Sequence, residues 1–303
     1  MKKKMISIAL AALMALSLAG CGGAKTEAPA KTDATTAGTA ADTKAADTKV
    51  ADTAAADTKA ADTTAAGTAE ASGGTLIVGF DQEFPPMGFM GDNGEYTGFD
   101  LELAKEVASR LGLTYTPQPI AWDSKDMELD AGNIDCIWNG FTMTGRENDY
   151  EWTTPYMANS QVFVVAKDSG ITGRADLAGK VVECQADSSA LAALNENPDL
   201  VATFKQLLTT ADYNSAFMDL EQGAVDAIAM DVIVAGYQIQ QRNADFVILD
   251  DTLSAEEYGV GFKKGNTELR DKVQKTLEEM AADGTMKAIS EKWFSEDVTT
   301  IGK

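Results

Sequence analysis

From residue 75 onward, short apolar runs alternate with stretches whose apolar side chains recur every three or four positions, and this alternation passes through the chain twice. Text of that kind specifies sheets covered by helices, the α/β class, and argues against a helical bundle or a β-sandwich. In the first pass TLIVGF (75–80) reads as a strand. Asp100 is expected to cap a helix, LELAKEVASRLG, whose Leu101, Ala104, Val107, Ala108 and Leu111 share a face and whose Gly112 ends it. A strand over 114–120, a short helix over 124–132, the apolar run starting at Ile134 and a strand over 161–167 follow. At Gly179 the pattern restarts. KVVECQ is a strand, ADSSALAAL a helix beginning at Ser188 or Ser189, and 203–209 extended. NSAFMDLEQG is a helix, DAIAMD (226–231) a strand and VIVAGYQIQQR the next helix. A chain return over 256–265, a helix over 267–283 and a last helix, TMKAISEKWF, complete a pair of α/β lobes, each with its own sheet.

The alternation begins only at 75 because two earlier segments cannot join a core. Residues 1–20 combine Lys2, Lys3 and Lys4 with an apolar run over 5–18 and the small residues Ala19 and Gly20, an export signal too short to span a bilayer. LAGC then places Cys21 where bacterial lipoproteins carry lipid. Acyl chains there, at about 0.8 kcal/mol per buried methylene, would hold the protein at a membrane without a spanning helix. Residues 22–74 collapse to Ala, Thr, Asp, Lys and Gly, with ADT on a five-residue period over 41–65. With one valine and no aromatic residue, such a segment cannot offset its ordering entropy and reads as a disordered tether.

The formal charge of −22 argues against nucleic acid or anionic lipid as a partner. The chain has no histidine, which excludes Ser/His/Asp and Cys/His catalysis and histidine-ligated metal. No metal or cofactor is expected. Cys136 and Cys184 sit among apolar residues on expected strands; a disulfide is open to them in an exported protein, and buried free thiols are the preferred reading.

The most informative stretch is 134–146, IDCIWNGFTMTGR. Its first half suits a strand buried on both faces. Its second half supplies Asn139, Gly140, Thr142, Thr144 and Gly145, then the guanidinium fork of Arg146, at the position where cleft-forming α/β proteins hold ligands, outside the carboxyl end of a strand. Such a loop can hold a carboxylate. The alternative is a surface loop in which Arg146 pairs with Glu147 or Asp149. Pro85 and Pro86 would fix Asp81, Glu83 and Phe84 at another strand end. Trp122 is core or a cleft wall. Asp231 could cap the helix that follows it, face a ligand's ammonium, or both.

These residues together resemble the family 3 extracellular solute-binding proteins, the polar amino-acid-binding components of bacterial ABC importers. The resemblance lies in GFDQEFPPMGF, GEYTGFDLELAKEVASRLG, NGFTMTGR, DLAGKVV with QADSSA, VDAIAMD, YGVGFKKGNTELRDKV and GTMKAISEKWF, in that order across 75–295. It implies a two-lobe periplasmic-binding-protein-like fold with a central ligand cleft and two crossing hinge strands, here 161–167 and 257–262. Lobe 1 would be discontinuous, 75–163 with 258–303, and lobe 2 would span 164–257. A zwitterion buried in a closed cleft needs both charges paired, and the resemblance supports Arg146 for the carboxylate and Asp231 for the ammonium. It also places Asp81, Phe84, Trp122, Asn139, Gly140, Gln185 and Ser189 around the ligand, while backbone amides near Thr142 and at the helix start by Ser188 and Ser189 add donors. Two departures stand out: TMTGR is one residue shorter than the family's usual spacing between the second threonine and the arginine, and Ser189 replaces a glycine.

The expected activity is non-enzymatic. A lipoprotein on the outer face of the cell membrane, acting as a monomer, would capture a free polar or basic L-amino acid and deliver it to an ABC permease. Acidic amino acids are disfavoured by Asp81 and Glu83. The alternatives are an enzyme on the same scaffold acting on a small carboxylate, and a ligand-sensing lipoprotein.

Overall fold

The computed structural model describes residues 73–303. The export leader over 1–20, Cys21 and the tether to residue 72 lie outside the described residues. β1 (Thr75–Phe80) leads into a small antiparallel meander of β2 (Glu83–Phe84), β3 (Gly88–Met90) and β4 (Tyr96–Thr97). The GDNG turn between β3 and β4 holds Gly94 at φ 77°, a left-handed conformation that glycine adopts without steric penalty. α1 (Phe99–Leu111) follows, burying Leu101, Ala104, Val107 and Ala108. Its N-cap is Gly98, however, not Asp100. Asp100 lies in the first turn, and its carboxylate is already engaged elsewhere, accepting from Gly140 N at 2.6 Å and Tyr156 OH at 2.8 Å.

β5 (Thr114–Pro119), α2 (Lys125–Ala131), β6 (Cys136–Ile137) and β7 (Glu151–Trp152) continue the first lobe, with β5 and β6 flanking β1 in parallel. The expected strand over the start of 134–146 is thus only two residues long, although Asp135 and Trp138 still donate their N–H groups to Ile77 and Gly79 of β1. β8 (Met157–Ala166) carries the chain across. Next come β9 (Val181–Gln185), α3 (Ser189–Asn195), α4 (Pro198–Val201), β10 (Gln206–Thr210), α5 (Tyr213–Glu221), β11 (Ala227–Asp231), α6 (Val232–Arg242) and β12 (Phe246–Ile248). Their sheet has the order β10-β9-β11-β8-β12. The chain returns through β13 (Ser254–Tyr258), and β14 (Gly261–Phe262) inserts into the first sheet, which is ordered β5-β1-β6-β14-β7. α7 (Thr267–Ala282) and α8 (Thr285–Phe294) close the first lobe against α1.

The crossing ribbon is the antiparallel pairing of residues 157–161 with 254–258, a few residues earlier on each strand than the expected 161–167 and 257–262. The reason is visible in the burial. Val162, Phe163, Val164 and Val165 are all buried, as befits a strand inside the second sheet, whereas burial alternates along 157–161, where only one face of the ribbon is covered. Cys136 in β6 and Cys184 in β9 are buried free thiols on different sheets; burial pushes the Cys184 thiol up to about 12.

Candidate functional site

The loops that leave β1, β6, β9 and β11 converge at the carboxyl ends of those strands, where the two lobes face each other. Asp81, Phe84, Trp122, Asn139, Gly140, Thr142, Arg146, Gln185, Ser188, Ser189 and Asp231 line one small cavity. All eleven residues singled out in the sequence therefore meet around a single space.

On the first-lobe side, Asp81 is fastened from several directions. Its Oδ1 accepts from Glu83 N at 2.8 Å, its own N–H donates to Asn139 Oδ1 at 3.0 Å, and its Oδ2 accepts from Gln185 Nε2 of the second lobe at 2.6 Å. Burial dominates over these donors and lifts the carboxyl to about 6. Gly140 has φ 56°, and a Cβ there would stand 3.0 Å from the Phe84 ring and 3.2 Å from that of Tyr258, so the backbone reaches the cavity only because no side chain intervenes. Trp122 is both core and wall: it is 9% exposed, meets Phe141 edge-on at 5.6 Å and lines the cavity.

Arg146 does not pair with Glu147 or Asp149. Its guanidinium lies 5.5 Å from the Phe141 ring centroid and, among the described residues, donates to backbone oxygens only, Thr142 O at 3.3 Å and Asp187 O at 3.5 Å. A guanidinium held in the cavity wall by two long carbonyl bonds keeps its fork available to an anion. Arg110, Arg242 and Arg270, by contrast, each pair with acidic side chains.

On the second-lobe side Ser188 is the N-cap of α3, accepting from Leu191 N at 3.1 Å, and Ser189 Oγ receives Thr142 Oγ1 across the cleft at 3.1 Å. Asp231 occupies the N-cap position of α6 but makes no capping bond. Its Oδ1 instead accepts from Tyr258 OH at 2.6 Å and from Asn159 Nδ2 and Gln161 Nε2, both at 2.8 Å. Burial above all, and then the neighbouring charge of Glu256, push its carboxyl well above the usual range.

Sequence reasoning missed Glu256, Asn159, Gln161 and Tyr258, the crossing-strand residues behind Asp231. Along β13 Glu256 and Tyr258 are buried while Ala255 and Glu257 are exposed, a choice of face that the sequence does not record. It also missed Lys125. Nothing in KDMELDA distinguishes that lysine from a solvated one, yet it is 1% exposed, sits 5.3 Å from the Trp122 ring centroid and pairs with Asp187 of the opposite lobe.

The site thus offers a fixed cation, backbone N–H groups and buried carboxylates around one small space, the complement of a molecule carrying both a carboxylate and an ammonium. Comparison with known proteins agrees with the architecture. The profile of the bacterial extracellular solute-binding proteins, family 3, matches residues 76–296. The L-cystine-binding protein TcyJ of Escherichia coli (strain K12) is 34% identical over 229 residues, covering 75% of this chain and 85% of that one. Among solved structures, an ABC uptake transporter substrate-binding protein from Streptococcus pneumoniae with bound histidine superposes with a TM-score of 0.73 at 37% identity, covering 75% of this chain and 94% of its own. An ancestral arginine-binding protein bound to arginine gives 0.68 at 38% identity, covering 73% and 98%. The chain belongs to the bacterial extracellular solute-binding proteins, family 3.

Proposed function

We propose that this protein captures a polar or basic L-amino acid between its lobes and delivers it to an ABC permease, from a position on the outer face of the membrane held by lipid on Cys21. The observation that carries this reading is the pairing of opposites around one cavity: the Arg146 guanidinium, bound only to carbonyls, and the buried Asp231 carboxylate. Arg146 would take the ligand's carboxylate, with amides near Thr142 and at the start of α3 as further donors. Asp231 would take the ammonium, with Glu256 behind it. Phe84 and Trp122 would enclose the ligand's side chain, and Asp81 would meet its polar or cationic end. Residues 75–163 with 258–303 would move as one lobe and 164–257 as the other. Relatives named for cystine and structures holding histidine or arginine support this ligand class. The carboxylates of Asp81, Glu83 and Glu256 disfavour glutamate and aspartate.

The test is thermal unfolding of the purified protein, freed of co-purified ligand, against the twenty amino acids, ornithine and cystine. A ligand at a hundred times its dissociation constant stabilises the fold by about 2.7 kcal/mol, a shift of several degrees. A shift with polar or basic amino acids supports the reading. No shift with any of them, or a preference for glutamate, overturns it.

A further inference from the structure

Asp231 and Glu256 converge on one buried spot behind the cavity. They are also braced by the same two amides. Asn159 Nδ2 reaches Asp231 Oδ1 at 2.8 Å and Glu256 Oε1 at 2.6 Å, and Gln161 Nε2 reaches the same two oxygens at 2.8 Å each. Each NH₂ group has two hydrogens, one for each carboxylate. Tyr258 OH adds a donor to Asp231, and the single hydrogen of Thr142 Oγ1 has Glu256 Oε1 at 3.0 Å as an alternative acceptor to Ser189 Oγ. The pair is 3% and 6% exposed, and among the described residues neither acid has a lysine or arginine partner. The amide oxygens Asn159 Oδ1 and Gln161 Oε1 are buried without a partner. The amides therefore turn their donors toward the carboxylates, with Gln161 Nε2 also reaching Ser189 Oγ at 3.0 Å, while their own acceptors go unused.

Neutral dipoles hold two full negative charges poorly when both carboxylates are buried on the same two amide groups, and a single proton on the pair relieves the repulsion. We propose that Asp231 and Glu256 share one proton when no ligand is bound and release it to solvent when a ligand's ammonium arrives, so that capture is coupled to proton release and Glu256 is a second determinant of specificity for a cationic group. In this exchange the carboxyl O–H bond breaks, its proton passes to buffer, and the incoming N–H groups take its place between the two oxygens. No covalent bond to the ligand forms. The other groups facing the pair do not supply that proton near neutral pH. From α5 and β13 come the phenols of Tyr213 and Tyr258, both pushed well above the ordinary tyrosine value by burial and then by these carboxylates. β8 presents only Asn159 and Gln161, and α3 only the Ser189 hydroxyl. Asp81, across the cavity and also raised, and Asp100, bonded to Gly140 of the cavity wall and raised to about 7, are the competing sources.

This inference rests on the amino-acid reading, and the experiment separates the two. L-glutamine, L-arginine and L-cystine are each titrated calorimetrically into the protein at about pH 6.5 in buffers of different ionisation enthalpy, which counts protons exchanged. The expected result is release of about one proton per ligand, with affinity rising by up to tenfold per pH unit while the pair holds its proton. Glu256→Gln, which keeps shape and removes the second charge, should bind with little proton release, while Asp100→Asn, outside the cavity lining, should still release it. Saturable heat without proton release in the unmodified protein overturns the shared proton, whether or not the variants fold. Equal release from Glu256→Gln, or loss of release in Asp100→Asn alone, also overturns it. Binding of none of the three compounds overturns the amino-acid reading and this proposal with it.

Discussion

Arg146 and Glu256 mark the two ends of what single residues reveal. The arginine announces itself because a guanidinium just past a buried strand end, in a Gly- and Thr-rich loop, has few structural uses, and in the fold it holds only carbonyls. Replacing it with alanine should therefore leave the ligand-free melting temperature within a few degrees of the original. The same change should weaken ligand binding by roughly 2–5 kcal/mol, a loss on the order of 100-fold or more by calorimetry. A variant that bound normally would remove Arg146 from the site. Glu256 gave no comparable sign. One of two adjacent glutamates in an acidic chain reads as solvated surface, and only the pleat of β13, set by its pairing with β8, turns this one inward and its neighbour Glu257 outward.

Among elements, α1 shows how a correct helix can carry a wrong detail. Its apolar face and its Gly112 stop were legible from spacing, but its start was not, because the acid expected to cap it has a stronger commitment to the loop after β6. Asp100, fully buried, is raised to about 7, chiefly by burial and against the pull of Gly140 N–H and Tyr156 OH. A folded carboxyl that holds its proton more tightly than the unfolded one contributes stability that is complete below about pH 4 and is lost as pH climbs through 7. The ligand-free protein should accordingly lose up to about 4 kcal/mol of unfolding free energy from this group between pH 4 and 8. Asp100→Asn keeps an oxygen to accept from both donors and should flatten that dependence, making the variant the more stable form at pH 8 in denaturant titrations. A variant with the same pH slope as the parent would place the titrating group elsewhere.

At the scale of the molecule, the question is what holds the lobes together. Besides the crossing ribbon, Gln185 bonds Asp81, Asn214 bonds Glu83, Thr142 bonds Ser189 and Lys125 bonds Asp187, each pairing one lobe with the other. Lys125 is the asymmetric member, since it is buried under Trp122 while Asp187 remains half exposed. Lys125→Met keeps the apolar stem and removes the charge. Ligand dissociation should then accelerate about fivefold with little change in association, because the contact forms after encounter and is worth about 1 kcal/mol. Stopped-flow measurement of both rates checks this. An unchanged dissociation rate would mean that the pair does not secure the closed arrangement.

The sequence alone determined the class and the two passes of strand and helix, because periodicity, turn chemistry and strand-end loops are local properties, and it named the eleven cavity residues largely through a family resemblance, because motifs keep their order along the chain. Tertiary structure decided the rest. It set the crossing ribbon at 157–161 with 254–258, brought Glu256 against Asp231 from residues 25 positions apart, and buried Lys125 between lobes. Those outcomes depend on strand register and on which face of an element meets a distant partner. A one-residue change of register inverts every side chain on a strand, and no local pattern in EEYGVGF records which of its glutamates will be enclosed.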